Sequence, residues 1–277
     1  MQLILRAPKR SLAVGAHQTG LFSNATDARL AADATNAHAC QPVTVAVLLL
    51  NGQPNRVKIF EENRKVLDAI ALPALDGSNH SDFMAHWRRS GFRLTPNFNR
   101  GWMRSYGAVA ATLGHLDALR WQVQHHVSYV LRLEDDMRII PTSAPFLKKL
   151  LCNLTGYLDQ QNGTRFSVAH FNFGNGNHRV GAEMYLTSRR GAASELRRIC
   201  TRGIFDGFDF MTNLQPSTLT VGKKTATQLA TMTNRASGKG SYVTKLQHFN
   251  LTSLKRESSD WPIGRCLAWS GLTGARR

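Results

Sequence analysis

Acidic residues are scarce in this chain. It has 18 Asp and Glu against 35 Lys and Arg in 277 residues, a formal charge of +17. That excess permits a nucleic acid, an anionic membrane surface or a phosphorylated small molecule as partner, and it carries no information about fold. Long apolar runs are missing as well. The longest, Val43–Leu50, falls far short of the ~18 residues a membrane-spanning helix needs, which excludes an integral membrane span in this sequence. Cysteine is sparse: Cys40, Cys152, Cys200 and Cys266 lie far apart with no C-x-x-C, a spacing that argues against a zinc ribbon or a redox dithiol. Isolated buried thiols are the expected state, with one or two disulfides as the alternative in an oxidising compartment. No apolar segment followed by a small-residue cleavage site opens the chain, so a standard secretory signal is not expected. There is no internal repeat.

What is present describes a folded protein. Hydrophobic residues make up 42% of the chain, with 13 Phe and 5 Trp, which suits one large domain or two small ones with a sizeable core. Residues 1–42 stand apart: their only acids are Asp27 and Asp33, and they read as a disordered or targeting-like arm, Met1–Arg10 being mildly like a transit peptide. Five N-x-[ST] sequons begin at Asn24, Asn79, Asn153, Asn162 and Asn250, where about two are expected by chance. They lean towards the secretory pathway without deciding between it and the cytoplasm, and the chain is expected to be soluble in either.

Folded character begins at Val43. The β-branched run Val43–Leu50, ended by Asn51-Gly52 and Pro54, predicts a buried, parallel strand. Asn55 can cap a helix in which Val57, Phe60, Arg64 and Leu67 recur at helical spacing. Ala69–Leu75 predicts a second strand, stopped by Asp76-Gly77. Tyr106, Val109, Leu113, Leu116 and Leu119 predict a strongly amphipathic helix within Met103–His125. Then come a strand over Val127–Leu133, a helix over Phe146–Leu158, strands over Ser167–Phe173 and Ala182–Thr187, and a helix over Arg189–Cys200. The loop Gly174–Asn177 separates the last two strands. This alternation implies an α/β sandwich with a mostly parallel central sheet. Thr212–Gly240, rich in Thr, Ser, Lys and Gly, reads as loop-dominated. The expected organisation is therefore the arm 1–42, a catalytic domain over 43–211, and a basic, loop-rich extension over 212–277 packing on the same domain.

The few acids are concentrated. Glu134, Asp135 and Asp136 sit where Val127–Leu133 leaves the sheet, and Asp206 and Asp209 form a second tight spot. Ligands of open α/β sheets bind beyond the carboxyl ends of strands. Three adjacent carboxylates repel one another unless something positive meets them. Glu134 and Asp136, two apart, can converge on one hard cation, Mg²⁺ or Mn²⁺, which also takes phosphate oxygens. The alternative is a solvated acidic turn paired with Arg132 and Arg138.

The segment Tyr129-Val-Leu-Arg-Leu-Glu-Asp-Asp-Met137 resembles the strand and E-D-D motif of glycosyltransferase family 25, the lipooligosaccharide and collagen galactosyltransferase family. Four further segments agree in order. Val47–Arg56 with Phe60 is similar to the N-terminal strand and the Pro-x-Arg after it, and Pro73–Gly77 to the second strand. Gly107–His115 resembles the Gly-x-x-Gly-x-x-x-Ser-His helix, and Met184–Ala192 the Tyr-Leu-Ile-Ser-x-x-Gly-Ala segment. The match spans roughly Val43–Asp209. Departures fall in the donor-binding part: Leu49 for Asn, Asn51 for Asp, Ala111 for Gly and Gly114 for Ser.

The resemblance implies a GT-A (Rossmann-like) nucleotide-sugar transferase fold. The implied reaction is inverting, metal-dependent transfer of a hexose, galactose or glucose, from a UDP-sugar to a hydroxyl of a glycan or glycoprotein. Glu134 and Asp136 would hold Mn²⁺ or Mg²⁺, neutralising the diphosphate leaving group. Asp135 would touch the donor sugar or ribose, or support the metal ligands. Asp206 or Asp209 would take the acceptor proton, with Asp206 preferred because Gly207 beside it suits a site loop. Asn51, His115, Arg56 and Arg190 are the remaining donor-binding candidates, arginine because guanidinium matches phosphate. The aromatic stretch Trp87–Trp102 can shape an acceptor groove, although such density is usually core. Two other classes compete: a basic nucleic-acid-binding protein, favoured by the acid-free stretch between Asp209 and Glu257 but lacking recognisable nucleic-acid motifs, and a GT-A-like protein that binds without turnover.

Overall fold

A computed structural model describes residues 40–50, 52–95, 106–160, 168–171, 182–213, 218–221, 223–232 and 251–272. Strand β1 (Val43–Leu49) is apolar on both faces because both are covered. Val45, Val47 and Leu49 join one core cluster, while Ala46 and Leu48 join another with Leu72, Ala118 and Val130. This is the burial pattern of a strand inside a three-layer sandwich. Helix α1 (Pro54–Leu67) follows, with Pro54 in its first turn and no side-chain cap. Asn55 lies within the helix and does not cap it, because proline's fixed φ and missing N–H already suit the first position.

The chain continues through β2 (Ile70–Pro73), α2 (His80–Ser90), α3 (Tyr106–Gln124), β3 (Tyr129–Glu134), β4 (Met137–Ile139), α4 (Ala144–Gln160), β5 (Val168–Phe171), β6 (Met184–Ser188) and α5 (Arg189–Arg202). Next are α6 (Phe208–Asn213), β7 (Thr218–Val221), α7 (Lys223–Leu229), β8 (Ala230–Met232), α8 (Leu251–Ser258) and α9 (Ile263–Trp269). Six strands form the main sheet in the order β2-β1-β3-β6-β5-β7. The β1–β2, β1–β3 and β5–β7 pairs are parallel, and β6 is antiparallel to both neighbours. The sheet is thus mostly parallel, with one reversed strand inside it. A small antiparallel pair, β4–β8, lies apart.

Two findings correct the sequence reading. Helix α3 is buried on nearly every side: Gly107, Ala108, Val109, Ala110, Thr112, Leu113, Gly114, His115, Leu116, Ala118, Leu119 and Gln122 are all buried. Its small residues let it lie between the sheet and the outer helices, as helices apolar all round do. Close approach is visible at Gly77, where a Cβ would fall 2.7 Å from Gly107 Cα, so only glycine fits. The second correction concerns Thr212–Gly240. Its described residues include β7, α7 and β8, and β7 extends the main sheet. These elements are too short for periodicity to reveal, and the β-branched residues of Thr218-Leu-Thr-Val221 favour a strand.

The cysteines are not isolated thiols. Cys40 pairs with Cys152 and Cys200 with Cys266, across sequence separations of 112 and 66 residues. The second bond ties α5 to α9. Trp87, at the start of the aromatic stretch, is fully buried core; residues 96–105 of that stretch lie outside the described residues. Among the described residues no helix is long and apolar enough to cross a membrane.

Candidate functional site

A pocket opens beyond the carboxyl ends of β1 and β3. One side is apolar, made by Ala74 and Leu75 after β2 and by Ala110, Ala111 and Gly114 on α3. The other end is charged: Arg56, His115, Glu134, Asp135 and Asp136 line it. The pocket sits over the ends of the parallel neighbours β2, β1 and β3. Strand β1 has β2 on one side and β3 on the other, and such a switch in strand order leaves a crevice.

Asp135 and Arg56 face each other across this end and are ion-paired. Asp135 Oδ2 also accepts the Leu50 N–H at 2.9 Å, and Arg56 Nε donates to Gln53 Oε1 at 2.9 Å. Asp135 is buried. The pair therefore clamps the exit of β1 and the start of α1 onto the turn after β3. This clamp uses both Asp135 oxygens, whereas Arg56, with five N–H donors, retains hydrogen-bonding capacity towards a ligand.

Glu134 is electrostatically uncomfortable. A third of its side chain is exposed. Burial of the rest, together with the nearby Asp136 and Asp209, pushes its carboxyl up to about 8, and Arg56 offsets only part of that rise. His115 Nε2 lies 3.2 Å from Glu134 Oε1, and Nδ1 lies 3.0 Å from the Tyr185 hydroxyl. Burial drives the His115 pKa down to about 3 despite Asp209 nearby, so the ring is neutral at physiological pH. Phe208 stacks on it with ring centroids 4.8 Å apart.

The two candidate bases differ in placement. Asp206 Oδ1 accepts the N–H of Gly207 at 2.8 Å, turning back on its own loop. Asp209, in the first turn of α6, is close enough for its charge to act on both Glu134 and His115. The structure thus brings Glu134, Asp135, Asp136, Arg56, His115 and Asp209 together. Asn51 lies outside the described residues.

Arg190 does not belong to this group, which corrects its expected role. Strand β6 runs against β3, with Ser188 opposite Tyr129 and Met184 opposite Leu133. Ser188, where β6 ends, is therefore at the amino end of β3, five residues from Glu134 along the strand, or about 17 Å at 3.3 Å per residue, and Arg190 lies beyond it. The same reversal brings in a residue that sequence reasoning missed. Glu183, which is buried, precedes β6, and its carbonyl accepts the Glu134 N–H at 2.9 Å. Its position two residues before Tyr185 in the Met184–Ala192 segment was the available signal, but only the antiparallel register sets it across from Glu134.

Among the described residues, no three or more His, Cys, Asp or Glu side chains gather as a group able to hold a metal ion. Four acids line the pocket, Asp76, Glu134, Asp135 and Asp136. Asp76 Oδ1 accepts from Ser78 and Asp135 is paired with Arg56, which leaves Glu134 and Asp136 as the carboxylates to consider for a cation. No protein-family model matches the chain, and no curated protein matches it significantly.

Proposed function

We propose that the chain is a GT-A-type glycosyltransferase that moves a hexose, galactose or glucose, from a UDP-sugar to an acceptor hydroxyl of a glycan or glycoprotein, with inversion. The observation that carries this reading is the Glu134–Asp136 pair at the carboxyl end of β3, with Glu134 held at a raised pKa by burial and by neighbouring acids. Like charges crowd Glu134, with Arg56 offsetting only part of their effect, and a divalent cation would relieve that crowding. Two carboxylates are too few for an all-protein cage, but they fit Mn²⁺ or Mg²⁺, which is commonly held by one or two carboxylates together with substrate phosphates. When bound, the ion would stabilise negative charge developing on the diphosphate.

The remaining steps belong to the chain's own groups. The apolar wall of Ala74, Leu75, Ala110, Ala111 and Gly114 suits a flat nucleobase. The Asp135–Arg56 clamp holds the loop beside it, and Arg56 offers donors to phosphate oxygens. Asp209 is the better-placed base. It takes the acceptor hydroxyl proton as the acceptor oxygen bonds to the sugar's anomeric carbon, and the bond from that carbon to the diphosphate breaks to release UDP. The test is UDP release from a panel of UDP-sugars with Mn²⁺. Turnover with at least one hexose donor is expected, falling about 100-fold or more in Asp136→Ala and Asp209→Asn. Absence of turnover with every donor, with UDP still bound tightly, would favour a binding protein instead.

A further inference from the structure

Tyr185 lies in the middle of β6 and is fully buried. A phenylalanine would fill nearly the same volume, so the hydroxyl is the feature to explain. That hydroxyl is 3.0 Å from His115 Nδ1, and the other ring nitrogen of His115 reaches Glu134. Three separate elements, β6, α3 and β3, thus supply one hydrogen-bonded chain. The rings are held from the side by Phe208, 4.8 Å from His115 and 5.2 Å from Tyr185 between centroids. Beneath them, Arg132, the register partner of Tyr185, has its guanidinium carbon 5.5 Å from the Tyr185 ring centroid.

A neutral imidazole has one N–H and one acceptor nitrogen. In the form that would hold a cation the Glu134 carboxylate only accepts, so a neutral His115 bonded to it carries its proton on Nε2. Nδ1 is then a buried acceptor, and Tyr185 is the donor the structure sets beside it. Burial keeps the tyrosine hydroxyl protonated by raising its pKa. We propose that Tyr185 is a positioning residue: its hydroxyl donates to His115 Nδ1, holds the ring in the Nε2–H tautomer, and so orients the Glu134 carboxylate at the pocket. The hydrogen-bonded chain stands on the two distances; the ionised form of Glu134 and the consequence for metal binding rest on the function proposed above.

Two measurements on the full chain test this. The ¹⁵N imidazole spectrum of the wild-type protein at pH 9 should show His115 with its proton on Nε2 and Nδ1 as acceptor. Tyr185→Phe should lose the acceptor shift at Nδ1 and weaken Mn²⁺ binding in the presence of UDP by about 10-fold. Its melting temperature should stay within a few degrees of wild type, which a merely structural loss would not explain. A proton on His115 Nδ1 in the wild type would overturn the proposal, as would a Tyr185→Phe variant with unchanged Nδ1 shift and unchanged Mn²⁺ affinity. A wild-type protein with the Nε2–H tautomer that binds no Mn²⁺ would overturn the glycosyltransferase reading while supporting the role of Tyr185.

Discussion

Arg132 and Glu134 lie two residues apart on β3, share the side of the strand that faces α3, and meet their surroundings in opposite ways. Arg132 is completely buried, and the two terminal nitrogens of its guanidinium meet acceptors, Ala118 O at 2.9 Å, Gln122 Oε1 at 2.7 Å and the Thr187 hydroxyl, while its Nε meets none among the described residues. Gln122 is held in turn, donating to Thr187 O at 3.0 Å and accepting from the Thr187 hydroxyl at 2.7 Å. Glu134, closer to the pocket, has one ring nitrogen within reach and like charges around it. Buried polar groups that serve the fold are largely satisfied; one crowded by like charges at a pocket is a candidate for function. The contrast marks where on a single strand the scaffold ends and the site begins.

Breaking the satisfied half should have the largest effect on stability. Gln122→Leu removes the acceptor for a buried guanidinium and the donor to Thr187 O, and is expected to cost about 3 kcal/mol, read by urea unfolding. Next in size is the effect of ligand on the crowded acidic half. Mn²⁺ with UDP, at 100 times its dissociation constant, should stabilise the wild-type protein by about 2.7 kcal/mol and leave Asp136→Ala unchanged in the same melt.

Removing the uncomfortable charge should have the opposite sign to removing Gln122. Glu134→Gln is expected to stabilise the metal-free protein at pH 8 by about 1 kcal/mol while lowering UDP release about 100-fold, the trade between stability and activity expected of a strained site. The metal-free pH profile follows from the two shifted groups. Glu134 has its folded pKa raised from 4.5 to about 8, so the folded state binds more protons between those values and this contribution is lost as pH rises through 8. His115 has its folded pKa lowered from 6.5 to about 3, so its contribution is lost as pH falls below 6.5. The two slopes oppose each other between pH 4.5 and 6.5, and stability should decline from pH 6.5 to 8. Glu134→Gln should abolish that upper decline in melts across the range. The smallest effect is expected at Arg190→Ala, an exposed residue at the other end of β3: stability within about 0.5 kcal/mol of wild type and unchanged UDP release.

Only the acidic half of this contrast was legible in the sequence, where Arg132 reads as a partner of the acidic turn; the structure turns it to Ala118, Gln122 and Thr187. The β-branched runs of β1 and β3 and the acidic triplet after Leu133 needed only local pattern, and the structure places them as strand ends around one pocket. What stayed hidden depends on long-range pairing. No local signal distinguishes a parallel β6 from an antiparallel one, so the sequence alone offers Arg190 for the site and gives no reason to pick Glu183; reversing that one strand exchanges them. The Asp135–Arg56 clamp joins residues 79 apart, and the disulfide partners are farther apart or comparably so, beyond the reach of spacing arguments. Helix α3 looked amphipathic because its larger apolar residues share a stripe. Its Gly and Ala positions supply the rest of the buried surface, and small residues carry little weight in a hydrophobic pattern.

The most direct test of the account is the location of Mn²⁺ by anomalous scattering in crystals of the full chain grown with Mn²⁺ and UDP. A peak shared by the Glu134 and Asp136 carboxylates, beside the diphosphate, is the predicted result. UDP bound in the pocket with no peak between those two side chains, or a peak held elsewhere, would contradict it.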